Sequence, residues 1–510
     1  MNYVNLTSVR AMERAREVGV RKVVGARKEQ LMGQFLTEAL LTNGISLVLA
    51  LQLLQLVRPW FGRMVGFPSE EANLFRYAEI HSGLLLTAAG LAIGGILLSG
   101  AYPAWLLSGQ EMSDVLKGAF RGSRRSQWVR QGLVVFQFTA SIALIAGTLL
   151  VYRQIRFLSE KDLGLQIDQV LMIEAPELSQ WDSTFIERMN SFKAALKAYP
   201  TIRSATTSSR VPGQGTGRIF DLQLVDAPTD QTFMSNFIHA DYGYAETYGF
   251  EPVAGRFFRP SDHSPDPAHI RYALINETLS AMLGFARPRE AVGRSLRFWG
   301  NELTIAGVVP DFHQRSLHHR IEPLVLMPFY GTQNPISVRI AGGNIPATVA
   351  QIHDSFDRFF PGNAFAYRFV DDFFQQQYEA DQHFGQVLSF FTALAMFIAM
   401  LGLFGLAAFS IALRTKEVGI RKVLGASSFQ LIGMLSKDFL RLVLIAILAG
   451  LPLAWYGIRH WLNNFAYAPP PAWWIFAATA LLALLLAFAT VSIHALRAAR
   501  RNPVKALRSE

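Results

Sequence analysis

Eleven residues near the N-terminus, Arg16-Glu17-Val18-Gly19-Val20-Arg21-Lys22-Val23-Val24-Gly25-Ala26, return without a gap as Lys416-Glu417-Val418-Gly419-Ile420-Arg421-Lys422-Val423-Leu424-Gly425-Ala426. The offset of 400 positions persists beyond the stretch, in Gln30/Gln430, Leu31/Leu431, Gly33/Gly433 and Leu40/Leu440, and an acidic residue repeats as Glu38/Asp438. Composition alone does not generate a match this long, so the chain is built on an internal repeat. Each copy runs directly into a long apolar segment. The repeated unit is therefore a short basic helix feeding a membrane span, and a partner that docks on one copy should find a second.

The sequence has 510 residues, is 51% hydrophobic and has a mean hydropathy of +0.23, values that point to membrane insertion. Six apolar spans are predicted. After Glu38 no charge occurs before Arg58, which marks the first span. The second runs from about Ser82 to Leu107 and the third from Gly132 to Val151. Gln382 to Leu413 is an uncharged run read as a fourth span with an extended entry, followed by Leu442–Ile458, starting near Phe439, and Trp473–Ile493. About 20 apolar residues cross the hydrocarbon core as a helix, which these segments supply. Trp60, Trp105, Trp455, Trp461, Trp473 and Trp474 lie near span ends, as an interfacial aromatic belt requires.

Charge sets the expected orientation. The net charge is +10, with a pI near 9.8, which in a soluble protein would raise nucleic-acid binding. Residues 1–30, 109–130, 414–430 and 495–510 together hold 21 Lys/Arg against seven Asp/Glu, so they carry more than the whole positive excess. All four lie on one side of the six-span topology, which the positive-inside rule makes cytoplasmic, and the case for nucleic acid falls away. There are no cysteines, which excludes thiolate metal sites, disulfides and cysteine nucleophiles. Met1-Asn2-Tyr3-Val4-Asn5-Leu6 has no apolar core behind a basic start and does not read as a signal peptide.

On this topology residues 153–381 are extracytoplasmic and read as an α/β domain. Strand-like runs at Val170–Ile173 and Leu303–Val309 alternate with helical patterns near 183–198, 277–284 and 346–359. Pro200, Pro212-Gly213, Pro260 and Pro361-Gly362 punctuate them as loops. The expected organisation is a cytoplasmic helix region at 1–30, a transmembrane pair at 31–108, a cytoplasmic linker at 109–131 and a span at 132–152. The external domain at 153–381 follows, and then a second permease segment at 382–510 with its own basic helix at 414–430.

Few motifs carry chemistry. No Gly-x-x-x-x-Gly-Lys-Ser/Thr occurs, so energy from nucleotide has to arrive through a partner. No Gly-x-Ser-x-Gly occurs either. Asp311-Phe312-His313, His318-His319 and Asp262-His263 raise a metal, but their spacing fits no zinc motif and Gly307, Pro310 and Pro323 mark an ordinary loop. Glu38 and Asp438 lie within about two turns of the cytoplasmic entry, where an interfacial or interhelical hydrogen bond is the expected role rather than an ion pathway. Gly94-Gly95 and the Gly402-Leu403-Phe404-Gly405 run are read as small residues that let spans pack closely. In the repeated helices Val20, Val23 and Val24, like Ile420, Val423 and Leu424, form one apolar face, while Arg21/Lys22 and Arg421/Lys422 offer charge to headgroups or a protein. Lipid contact alone needs no particular Glu-Val-Gly order, so docking to a partner is the favoured reading over a simple interfacial helix.

The two Glu-Val-Gly-x-Arg-Lys-Val-x-Gly-Ala stretches resemble those of ABC transporter permeases of the FtsX/MacB type. Supporting matches are Gly307-Val308-Val309-Pro310-Asp311-Phe312-His313 with Ser316-Leu317 and Ile321-Glu322-Pro323, Asn276-Glu277, and Asn502-Pro503-Val504-Lys505-Ala506-Leu507-Arg508. The resemblance covers essentially the whole chain. Double-length members have two halves, each with a span, an external MacB-like core domain, a span, a cytoplasmic helix and two spans. Here the second half is complete and the first begins at its cytoplasmic helix, with Asn2–Leu6 resembling the tail of a preceding span.

The resemblance implies a polytopic α-helical membrane protein with one extracytoplasmic α/β domain, in the bacterial inner membrane. It implies a permease with no cofactor and no catalysis of its own, working with an ABC ATPase that binds the ATP. The residues expected to contact that ATPase are Glu17, Gly19, Arg21, Lys22 and Gly25, and Glu417, Gly419, Arg421, Lys422 and Gly425. Export or extraction of amphiphilic cargo, with mechanical transmission to the external domain and a periplasmic adaptor or hydrolase as further partner, is what the family suggests. The alternatives are a signalling scaffold that activates a cell-wall hydrolase without transport, and a membrane-bound enzyme using His313 and Asp311.

Overall fold

The computed structural model describes residues 21, 24–66, 83, 86–87, 90, 93–95, 124–180, 182–225, 231–264, 266–329, 331 and 333–500. Most of the second predicted span, the linker before Arg124, the first repeat before Arg21 and the Asn502–Arg508 motif lie outside these residues.

The described chain begins with helices α1 (Lys28–Val65) and α2 (Arg124–Glu160). Then follow β1 (Val170–Ile173), α3 (Ser183–Lys197), β2 (Ile202–Thr207), β3 (Gly217–Leu224), β4 (Phe233–His239), α4 (Tyr244–Tyr248) and β5 (Ala254–Gly255). Next come β6 (Tyr272–Asn276), α5 (Glu277–Met282), α6 (Pro288–Ala291), β7 (Ser295–Phe298), β8 (Asn301–Val309) and β9 (Leu324–Met327). The remainder is β10 (Ile336–Ile340), α7 (Ile345–Phe359), β11 (Tyr367–Phe369), α8 (Val370–Leu413), α9 (Thr415–Val423), α10 (Ser428–Leu462) and α11 (Trp473–Arg500). They form two compact units: an α/β unit of Gln154–Asp381 with Leu462–Pro469, and a helical unit from the rest.

Among the described residues five helices are long and apolar enough to cross a membrane: Glu29–Val65, Trp128–Glu160, Val370–Ala408, Ser428–Leu462 and Trp473–Arg497. They correspond to the first and the third to sixth predicted spans, each longer than its uncharged core. A helix needs no partner to satisfy its backbone groups, so it runs on past the apolar stretch until a turn residue stops it. α1 stops at Gly66, whose φ of 76° is open to glycine. In the helical unit Val134, Phe138 and Ile142 of α2 mesh with Ala399, Leu403 and Ala407 of α8, Phe439, Val443 and Ala446 of α10, and Ala483, Ala487 and Val491 of α11. Their spacings of three, four and eight keep each set on one helix face. α2 and α10 meet at Gly450, where a Cβ would lie 2.9 Å from the Thr139 carbonyl oxygen and 3.1 Å from Ile142 Cβ. Gly450 is thus a close-approach glycine, and most residues around Gly94 and Gly95 lie outside the described ones.

The α/β unit contains two sheets. A four-stranded antiparallel sheet runs β11-β1-β10-β2, and α3 and α7 cover it through Phe185, Met189, Phe192, Ile352 and Phe356. The second runs β5-β8-β6-β9-β4-β3-β7. β7 also pairs with β8, Ser295 opposite Thr304 to Phe298 opposite Asn301, which closes six strands into a ring. β5 occupies the rest of that edge of β8, opposite Gly307 and Val308. Alternating strand residues Ile219, Ala273, Ile275, Leu296, Phe298, Leu303, Ile305 and Val325 fill the interior, as period-two packing requires. Gly307 is needed where it stands: a Cβ there would lie 2.6 Å from the Arg256 carbonyl oxygen and 2.8 Å from that of Ala254.

One buried ion pair ties α3 to β2. Lys193 Nζ meets the Asp241 carboxylate with both side chains excluded from water. Asp241 also accepts from Thr206 Oγ1, from Thr207 N at 3.1 Å and from Gly243 N at 2.8 Å. Removing one member leaves the other's charge buried. Asp241→Ala is accordingly expected to destabilise the α/β unit by about 3–5 kcal/mol, measured as faster native-state hydrogen exchange in β2 of the intact chain.

Candidate partner-docking site

The repeat has a definite local geometry, and the second copy shows all of it. α9 ends in a reciprocal backbone turn: Gly425 N donates to Lys422 O at 3.1 Å and Ala426 N to Arg421 O at 3.0 Å, with Gly425 at φ 92°. A left-handed residue at that point reverses the chain while capping two orphan carbonyls, and glycine takes the conformation without a Cβ clash. Two residues later α10 starts in a capping box, Ser427 N donating to Gln430 Oε1 at 3.0 Å and Gln430 N to Ser427 Oγ at 3.3 Å. The first copy shows two of these contacts and the same glycine reversal 400 positions earlier. Ala26 N donates to Arg21 O at 2.9 Å, Gly25 has φ 97°, and Arg27 N donates to Gln30 Oε1 at 3.0 Å.

The guanidinium contacts also correspond. Arg21 Nη1 donates to Gln34 Oε1 at 2.7 Å, and Arg421 Nη1 meets Met434 Sδ. Both arginines therefore lie back along the helix that follows. Glu38 accepts from Gln34 Nε2 at 3.1 Å, and Asp438 pairs with Arg414 at 2.9 Å, so both acids make polar contacts at the turn.

Of the predicted site residues, Glu17, Gly19 and Lys22 lie outside the described residues, and Arg21 and Gly25 form the first turn. In the second copy Glu417 and Arg421 are half exposed and pair with each other at 2.9 Å, one helical turn apart. Gly419 is buried and Lys422 is partly buried. The face that α9 turns inward is carried by Val418, which is 3% exposed and packs with Ile411, Leu431, Leu435 and Ala495. The apolar face identified in the sequence points the other way: Ile420 is 50% exposed, Val423 64% and Leu424 80%, and Phe429 of α10 is 80% exposed.

The second group of singled-out residues has a structural office. The Asp311 carboxylate accepts from Thr278 N at 2.9 Å and Thr278 Oγ1 at 2.7 Å, and Asp311 N donates to Glu277 Oε2 at 3.2 Å. Asn276 Oδ1 accepts from Leu279 N and Leu324 N, and its Nδ2 donates to Glu322 O at 3.0 Å. These bonds clamp the loop between β8 and β9 onto the start of α5. Asp262 pairs with Arg256, and His263 Nδ1 contacts Arg259 O at 3.1 Å. Among the described residues no group of three or more His, Asp or Glu is placed to hold a metal ion.

Comparison with known families decides the class. The family description FtsX-like permease C-terminal matches residues 1–112 and 389–503, one copy of the repeat in each, and MacB-like periplasmic core domain matches 135–355. The chain belongs to the FtsX/MacB permease family. Members of this family are membrane permeases with a periplasmic domain, and they work with an ABC ATPase. No functionally curated protein matches the chain. Among solved structures, the periplasmic region of MacB from Actinobacillus actinomycetemcomitans is similar at 14% identity and TM-score 0.29, over 43% of this chain and 97% of that one. The extracellular domain of the ABC-type transporter YknZ from Gram-positive bacteria is similar at 15% identity and TM-score 0.26, over 39% and 98%.

In this permease two histidines of the α/β unit titrate well below their usual range. His313 is pushed down to about 4, first by burial and then by the nearby Lys161 charge, and His239 to about 4 by burial. Each is neutral when folded and regains a value near 6.5 when unfolded. Unfolding thus takes up protons between those values, so their stabilisation is complete above about pH 6.5 and is lost as the pH falls towards about 4. Thermal unfolding of the intact chain is expected at lower temperature across that window, and His239→Gln with His313→Gln should flatten the dependence.

Proposed function

We propose that this chain is the transmembrane subunit of an ABC transporter in the bacterial inner membrane, driven by an ATPase on a separate polypeptide. The observation that carries the proposal is the paired turn: two copies of one sequence stretch, each with a glycine reversal and a glutamine-capped entry into a span. The described second copy leaves Ile420, Val423, Leu424 and Phe429 uncovered beside the Glu417–Arg421 pair. Large apolar side chains left exposed beside an ion pair suit burial against a folded partner, and two copies suit the two subunits of a dimeric ATPase. ATP is held by that partner, and the permease performs no chemistry.

On this reading apolar contact supplies most of the docking energy and the charges orient it. Glu417 and Arg421 neutralise each other within the helix, so they present a fixed dipole rather than two separate charges. Arg421 is further committed to Met434, which links the docking helix to the start of α10. Export or extraction of amphiphilic cargo, with the periplasmic domain moved mechanically, is the activity that family membership supports.

The test is co-purification of an ATPase with the tagged chain from detergent-solubilised membranes of the native host. Ile420→Asp with Leu424→Asp is expected to lower the recovered ATPase by at least about ten-fold. The charge reversal Glu417→Arg with Arg421→Glu keeps the internal pair and should have a smaller effect in the same direction. Membrane-inserted amounts of both variants should match the parent. Undiminished ATPase recovery with the apolar variant would count against this docking face.

A further inference from the structure

The strand ring of the α/β unit is packed along its middle but not at one end, where the last inward-facing positions of its strands surround a cavity of about 180 Å3. β4 ends on His239, in register with Met327 at the end of β9, and Phe329 continues the inward alternation two residues on. Phe298 and Asn301 face each other across the β7–β8 turn, and Leu303 lies one inward position further along β8. The turn itself is Trp299 and Gly300. Both have positive φ, 51° and 76°, the signature of a type I′ turn, which usually takes asparagine and glycine. Trp299 is 49% exposed and meets Phe237 edge-on with ring centroids 4.9 Å apart. Phe237 and Phe329 in turn flank the His239 imidazole at 5.4 and 5.0 Å.

We infer that this rim is a binding site for a small neutral aromatic molecule carrying one hydrogen-bonding group. Three departures from ordinary packing coincide there, and such a ligand answers each of them. An empty space of this size is unfavourable in a close-packed interior, and a dry apolar cavity of about 150 Å3 already admits benzene. A bulky side chain at positive φ strains the backbone, and strain of this kind gathers where a site needs it. Here it holds the Trp299 indole against the cavity. The third departure is an imidazole at an inward position that a leucine would fill. Among the described residues neither nitrogen of His239 has a hydrogen-bond partner. Burial keeps that ring neutral at pH 7, with one nitrogen to donate and one to accept. Apart from His239 and Asn301 the described lining is aromatic or aliphatic, and it includes no charged side chain. A planar ring can pack on Trp299 or Phe329 while its polar group bonds His239. A carboxylate or ammonium would lose its hydration there with no ion pair to replace it. The inference rests on the α/β unit alone and holds whether or not an ATPase drives the chain.

Indole is a suitable probe. Equilibrium dialysis of radiolabelled indole against the full chain in lipid nanodiscs, with empty nanodiscs as the blank for lipid partitioning, is expected to show saturable binding of one equivalent. Trp299→Asn supplies a residue the turn prefers and removes the ring, so affinity should fall by about ten-fold. Hydrogen exchange in β7 and β8 should be unchanged in that variant, as proof of folding. His239→Leu keeps the lining apolar but removes the polar partner, and indole should bind about three- to ten-fold more weakly to it. N-methylindole, which has no N–H to donate, should bind that variant as it binds the parent. Indole uptake equal to that of empty nanodiscs, or saturable binding that neither substitution weakens, would overturn the site.

Discussion

Hydrocarbon offers no hydrogen bonds, and this constraint orders the whole molecule. Among the described residues five apolar helices satisfy their backbones internally, so their interiors carry mainly packing, while most polar specificity gathers where they begin and end. The helical unit shows the division clearly. Between the ends, alanine, leucine and valine rows interlock and Gly450 lets α2 and α10 approach. At the ends lie the glycine reversals, the capping glutamines and the Arg414–Asp438 pair.

The repeated turn follows from the same constraint. A helix that must stop at the membrane surface and restart as a span has to cap two termini within four residues. Gly25 and Gly425 solve the first half of that problem and Gln30 and Gln430 the second, which is why those four positions coincide in both copies. The turn also fixes which side chains face out. With Val418 and Gly419 turned inward, Ile420, Val423 and Leu424 are left uncovered, and the docking reading rests on that orientation as much as on the repeat itself.

Much of this was legible in the sequence. Uncharged runs located the spans, β-rich apolar runs located β1 and β8, and the 400-residue offset located the repeated turns. The exposed direction of α9 was not legible, because a nine-residue helix with valines at several spacings has more than one apolar face. Nor was the task of Asp311 and His313 readable. They look like ligands in sequence, and only the neighbours brought in by α5, by Lys161 and by Tyr467 give them structural roles. Those neighbours are between about 30 and 150 residues away along the chain, beyond the reach of any local pattern.

By itself, the sequence determined what local physics controls: which segments are apolar enough to be helices in a membrane, where a glycine must reverse the chain, which loops carry positive charge, and that two units share one design. Tertiary structure decided what depends on distant neighbours. It closed six strands into a ring through the second pairing of β7, buried Lys193 against Asp241, chose the inner face of α9, and seated Phe465 and Tyr467 on a loop from the middle of the α/β unit. The division is physical. Hydropathy and backbone propensity act within a few residues, whereas the partner that satisfies a charge or covers a ring is supplied by the fold.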